Sequence, residues 1–241
     1  LFSREKDIVC TSRKSAAQTR KKKRSFVGAA KRFAEGGAMN CDQKEILARL
    51  KAEHPALCKL IPQIEEAFAL LKSAYDAGGK VMICGNGGSA ADSEHIVGEL
   101  MKGFLSKREV TDERIPERLR KNLQGALPAI SLPSQCAILS AFVNDVEPDM
   151  MYAQMVYGYA KENDLVIGIS TSGNSKNVVN AVEVAKCVGA KTLSLTGQND
   201  SKLSELSDVT IRVPETETYK VQELHLPVYH YLCAGVEKAM F

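Results

Sequence analysis

Two short apolar runs, Val81 to Cys84 and Leu165 to Ile169, constrain this chain more than anything else in it. Each is unbroken, the pattern of a strand buried on both faces, not the alternation of a half-solvated one. Each runs straight into a turn: Gly85-Asn86-Gly87-Gly88-Ser89 after the first, Ser170-Thr171-Ser172-Gly173-Asn174-Ser175 after the second. Each turn opens onto helical periodicity, through Ile96, Val97 and Leu100 in one case and Val178, Val179, Ala181, Val182 and Ala185 in the other. Strand, crossover helix and strand, repeated, call for a parallel sheet covered on both faces. Ala126 to Leu132, Lys191 to Leu195 and Val209 to Val213 supply three more strands. The predicted fold class is therefore α/β, a doubly wound five-stranded parallel sheet flanked by helices. Ahead of it stands an N-terminal helical pair. Asp42 caps the first helix through Leu50, and Pro55 opens the second, whose apolar stripe runs from Leu57 to Tyr75 and stops at Gly78-Gly79.

Both turns fall at the C-terminal ends of strands, where open α/β sheets bind ligands. A glycine turn at a helix N-terminus gathers backbone N–H groups and a positive dipole end, which favour an anion such as phosphate. The second turn adds four hydroxyls, Ser170, Thr171, Ser172 and Ser175, as further donors. Tight-turn geometry for the glycines and helix capping for one hydroxyl are the plainer readings. Asn144 and Asp145, at a junction between two expected helices, read equally well as caps.

The helix after the glycine turn carries His95 and Glu99, four apart and on one face. The last expected helix, from about Tyr219 to Phe241, carries Gln222, Glu223, His225 and His230 around a bend at Pro227. Gln222 and His230 are eight apart, roughly 80° around a helix, and so share a face. Core packing is the ordinary fate of a histidine on an apolar helix. Two imidazoles, a carboxylate and an amide oxygen nonetheless suit a divalent metal, with Zn²⁺ favoured by imidazole and oxygen together.

Charge divides the chain. Residues 1 to 38 hold 11 Lys/Arg against 3 Asp/Glu, while the remainder holds 21 against 26. The first segment, centred on Lys21-Lys22-Lys23-Arg24, lacks the apolar residues of a core and reads as a disordered basic leader. A nucleic-acid arm, a targeting peptide and an extension ahead of a start at Met39 are its three readings. Residues 39 to 241 form the expected single domain, whose acidic balance argues against nucleic acid as its partner. Seven cysteines without a CxxC pair read as reduced, mostly buried thiols of a cytoplasmic protein, and no run reaches membrane-span length. The run from Lys107 to Lys121 is so charged that a solvated loop or short exposed helix is expected there.

In order and spacing, GNGGSAADSEHIVGEL, ND, ISTSGNS and VQELHLPVYH resemble the phosphoheptose isomerase branch of the sugar isomerase (SIS) domain family, over roughly Asp42 to Phe241. The resemblance implies conversion of sedoheptulose 7-phosphate into a mannoheptose 7-phosphate by a cytoplasmic, commonly tetrameric enzyme with a bound zinc. Position by position it implies substrate contacts at Asn86, Gly87, Gly88, Glu99, Asn144, Asp145, Ser170, Thr171, Ser172, Ser175 and Gln222. It implies metal ligands at His95, Glu99, Gln222 and His230, and an acid/base pair at Glu99 and His230. The competing class is a non-catalytic SIS-domain sensor of sugar phosphates or a protein adaptor, which has no use for those four residues together. Two departures bear on the sugar. The charged segment from about Leu105 to Leu123 is longer than the family's loop. Tyr219 stands where the heptose enzymes often carry an acid, with Glu217 nearby.

Overall fold

The computed structural model describes residues 41–241, with side chains from residue 44 onward. The basic leader, and every reading placed on it, lies outside the described residues.

The elements follow the order α1 (Cys41–Glu53), a 3₁₀ turn (Pro55–Leu60), α2 (Ile61–Asp76), β1 (Val81–Gly85), α3 (Gly88–Met101), α4 (Glu117–Arg120), β2 (Ala129–Ser131) and α5 (Cys136–Asp145). A second 3₁₀ turn (Pro148–Met150), α6 (Met151–Tyr159), β3 (Leu165–Ile169), α7 (Lys176–Cys187), β4 (Lys191–Thr196), α8 (Lys202–Leu206), β5 (Val209–Arg212) and α9 (Thr218–Met240) complete it. The stretch expected as one helix from Pro55 is thus split, its first turn wound as 3₁₀ before Ile61. α1 begins at Cys41, one residue ahead of its expected cap. β2 keeps only three of the seven residues read as strand, because it pairs with β1 alone, at the edge of the sheet.

All five strands are parallel, in the order β2-β1-β3-β4-β5. The chain leaves β1 towards one edge and returns to build β3, β4 and β5 on the other side. In this topology the C-terminal ends of β1 and β3 flank the switch point, where ligands bind. Val81 lies opposite Leu165 and Gly85 opposite Ile169, so the two strands end level and deliver their turns side by side.

Alternation within the buried strands sorts the core into two layers. Met82, Cys84 and Val166 pack with Tyr152, Val156, Val178 and Val182 from α6 and α7. Ile167, Leu193 and Leu195 face Leu71 of α2, Ile96 and Leu100 of α3, and Leu232 of α9. Each such side chain contributes about 1.5–3 kcal/mol by leaving water, and both layers are filled with aliphatic ones. Hence α9, packed on α2 and α3, is pinned beside the first motif helix.

The expectation of a solvated charged segment fails at Arg108, which is 1% exposed. Its Nε donates to Glu237 Oε1 at 2.7 Å, while Nη1 and Nη2 donate to the carbonyls of Leu100 and Glu99 at 2.6 and 2.9 Å. Those carbonyls end α3 and have no helical partner of their own, a need that a five-donor guanidinium can meet. Glu237 in turn accepts the amides of Phe104, Leu105 and Ser106 at 2.8, 2.8 and 3.2 Å. Burial pushes Glu237 up, yet those amides and Arg108 outweigh it and hold its carboxyl below the usual range. The rest of the segment behaves as its composition predicts: α4 buries nothing, and Arg114 pairs with Asp112 in solvent.

All five described cysteines are free thiols, but only Cys84 and Cys233 are buried; Cys58, Cys136 and Cys187 are exposed, against the expectation that most would be core. No described helix is long and apolar enough to cross a membrane.

Candidate active site at the strand ends

The glycine turn closes through Gly87, whose φ of 56° lies in the left-handed region that favours glycine. Gly88 follows as the first residue of α3, and a Cβ there would come within 2.5 Å of the Gln222 amide. The missing side chain is therefore what lets Gln222, from α9, lie against the turn. No side chain caps α3; the turn closes on itself instead, the amides of Ser89 and Ala90 donating to the carbonyls of Asn86 and Gly87 at 3.0 Å each.

The hydroxyl turn stands beside it. Ser170 Oγ lies 3.0 Å from Ser175 Oγ and 3.5 Å from Ser172 Oγ. Helix capping does not account for it, because Ser175 makes no side-chain cap to α7. The first-turn amide of Val178 is served instead by Asn177 Oδ1 at 3.0 Å. Thr171 takes part through its backbone carbonyl, which accepts from Gly197 N–H at 3.0 Å. Asn86 and Asn177 exchange a pair of amide hydrogen bonds, both 2.9 Å, and so tie the two turns together. Asn177 escaped the sequence reading because an Asn in a first helical turn looks like local capping.

Above the turns, α3 and α9 bring the His/Glu set together. His95 Nε2 lies 3.3 Å from Glu99 Oε1 and 3.3 Å from His230 Nε2. Burial and then the neighbouring His95 lower the His230 pKa, with Glu99 pulling the other way. Lys102 approaches the second oxygen of Glu99 at 3.3 Å, and the Phe104 ring lies 5.5 Å from that of His230. A groove of about 200 Å³ opens beside His230, lined in part by Leu50, His54, Phe104 and Tyr231.

Ligands held at about 2.0–2.1 Å on a tetrahedral zinc stand roughly 3.3–3.4 Å apart, so both His95 pairs have the spacing of ligand edges. Among the described residues no three His, Cys, Asp or Glu close around one point as a ready cage. Two imidazoles and a carboxylate at edge spacing fit zinc by donor chemistry.

Not every expected residue joins this arrangement. Asn144 and Asp145 sit exposed at the end of α5, bonded to each other at 2.7 Å and not to either turn or to the His/Glu set. His225 is wholly buried: Nε2 donates to the Thr196 carbonyl at 3.3 Å, and burial pulls its pKa down to about 4. It is a core histidine. Tyr219 is exposed, and Glu217 beside it is paired with Lys220 at 2.6 Å. Two groups missed in the sequence are Asp92, which shares the His95 face of α3, and Tyr229, whose O–H lies between Asp92 and His95. Their three-residue and one-residue offsets from His95 and His230 were the available signal.

Residues 54–197 match the family model of the SIS domain. The phosphoheptose isomerase of Helicobacter pylori (strain P12) is 38% identical over 196 residues, covering 81% of this chain and 94% of that protein. That of Citrifermentans bemidjiense is 37% identical over 201 residues, 82% of this chain and 96% of its own. The chain belongs to the phosphoheptose isomerase branch of the SIS domain family. Among solved structures, the phosphoheptose isomerase of Neisseria gonorrhoeae superposes with a TM-score of 0.65 at 28% identity, over 81% of this chain and 98% of that one. The Francisella tularensis enzyme gives 0.64 at 27%, over 81% and 97%. Parallel five-stranded sheet and branch membership agree.

Proposed function

We propose that this protein is an aldose–ketose isomerase of sugar phosphates, acting on sedoheptulose 7-phosphate to give a glycero-manno-heptose 7-phosphate. The observation that carries the reading is the meeting of Glu99, His95 and His230 within hydrogen-bonding reach over two phosphate-type turns. A sensor or adaptor needs the turns alone.

Ser170, Thr171, Ser172 and Ser175 hold the phosphate, with Asn86, Gly87 and Gly88 lining the neighbouring turn and Gln222 pressed against it. Isomerisation moves a proton between adjacent carbons through an enediol, which requires a base and an acid on the reacting edge. Glu99, the only carboxylate of the pair, takes the proton; His230, held neutral by its surroundings, exchanges one with the substrate oxygen. Zn²⁺ would be held by His95, Glu99 and His230 with Gln222. Once bound it supplies a positive charge that stabilises oxygen as negative charge develops there. Asn144 and Asp145 reach a substrate only from another copy of the chain, in keeping with a homotetramer. The exposed Ile138, Val143 and Val146 on and beside α5 give such a contact its apolar surface. A cytoplasmic setting completes the proposal.

Incubating purified protein with sedoheptulose 7-phosphate and following aldose formation tests it directly. Turnover supports the reading. A protein that binds the sugar phosphate and never isomerises it is a sensor.

A further inference from the structure

We propose that Asn177 is a positioning residue for substrate capture: it fixes the carboxamide of Asn86 before a sugar phosphate arrives. The two side chains belong to neighbouring turns. Asn86 Nδ2 donates to Asn177 Oδ1 and Asn177 Nδ2 to Asn86 Oδ1, both at 2.9 Å. The backbone around Asn86 is held without this pair. Its own carbonyl accepts from the Ser89 amide at 3.0 Å, and the carbonyl before it, of Gly85, accepts the buried Tyr152 hydroxyl at 2.7 Å. What remains free is rotation of the exposed Asn86 side chain, including the half-turn that exchanges its oxygen with its NH2.

Asn177 removes that freedom because its own orientation is set from the backbone. It is half-buried in the first turn of α7. The Val178 amide donates to Asn177 Oδ1 at 3.0 Å, as well as to the Ser175 carbonyl at 3.1 Å. A flipped Asn177 would set its NH2 against that N–H, donor against donor. Oδ1 therefore stays on Val178, and Nδ2 is left to donate to Asn86 Oδ1. Asn86 must then return an N–H to Asn177 Oδ1, so its own oxygen and nitrogen have one placement each. A carboxamide has two N–H groups and two acceptor lone pairs, and the pair takes one of each from Asn86. One N–H and one lone pair remain for a ligand, in directions that Asn177 decides. Ordering such a side chain in advance spares binding the entropy of ordering it later. Asn177 thus acts on substrate through Asn86. The inference rests on the proposed substrate contact of Asn86, but it concerns binding and does not depend on turnover.

A double-mutant cycle on the full-length protein tests it, read by calorimetry as affinity for sedoheptulose 7-phosphate. Asn177→Ala should weaken binding by roughly two- to tenfold, the usual cost of ordering one free side chain. In turnover the loss should appear as a raised KM with kcat little changed. Asn177→Ser keeps a hydroxyl to cap Val178 but is too short to reach Asn86. It should melt near the wild-type temperature and bind as weakly as Asn177→Ala, and it keeps the test open if the alanine variant does not fold. Asn86→Ala should lose at least as much. The double variant should lose no more than Asn86→Ala alone, because Asn177 has no effect except through Asn86. Losses that add would make Asn177 an independent contact or a cap of α7, and unchanged affinity in both Asn177 variants would mean that Asn86 needs no partner. Either result overturns the proposal. Coupled losses in a protein that binds the sugar phosphate and never isomerises it uphold the proposal and sink the isomerase reading instead.

Discussion

Single side chains carry the sharpest expectations. Glu99→Gln keeps size and an oxygen but neither accepts a proton nor offers negative charge. Turnover should fall by at least about 10²–10⁴-fold, the usual worth of a general acid–base group, while sugar-phosphate binding measured by calorimetry persists. Ser172→Ala removes one charge-assisted hydrogen bond of about 1.5–3 kcal/mol from the proposed phosphate site. Titration with a sugar phosphate should show affinity weakened by roughly tenfold to a hundredfold, and unchanged affinity would place the phosphate elsewhere. The serines are well suited to this, since the amide they were best placed to cap is already served by Asn177.

At the level of elements, the site depends on how closely α9 approaches the glycine turn. Gly88→Ala sets a methyl 2.5 Å from the Gln222 amide, and the end of a flexible side chain can move aside. The variant should therefore fold with a near-normal melting temperature and lose activity, a separation visible by comparing calorimetric melting with turnover. The Arg108–Glu237 pair joins α9 to the end of α3 and to the loop bearing Phe104, and here the backbone itself is at stake. Arg108→Met leaves a buried carboxylate without its cation, a loss typically of about 3–5 kcal/mol. Denaturant unfolding should show it, and an unchanged midpoint would mean that Glu237 is satisfied by the three amides alone.

Over the whole molecule, His225 gives stability a pH dependence. Its pKa is near 4 when folded, against 6.5 for an ordinary imidazole, because burial disfavours the cation. The unfolded chain therefore binds the proton first. Stability from this group is complete above about pH 6.5 and falls as pH drops towards 4, by roughly 3 kcal/mol in all. His225→Gln retains a donor for the Thr196 carbonyl and does not titrate, so its acid-side slope in urea unfolding should be shallower by up to one proton. An equal slope would assign the acid sensitivity to other groups.

What the sequence alone determined follows from periodicity and turn chemistry. Continuous apolar runs such as Leu165–Ile169, five residues long and bounded by turn residues, have the pattern of strands buried on two faces, and a glycine or hydroxyl turn between strand and helix lies at a strand end. Sheet, strand number, both phosphate-type turns and the motif helices were legible on that basis. Tertiary structure decided whatever depends on a partner distant in the chain. Composition read Arg108 as solvated, yet it is buried because Glu237, 129 residues away, and the carbonyls ending α3 need its donors. His225 and His230 look alike in sequence and differ only in what faces them, the Thr196 carbonyl in one case and His95 in the other. The contacts of Tyr229 with Asp92 and His95 exist only once α9 lies against α3, since 134 residues separate Tyr229 from His95 and no local pattern records their meeting.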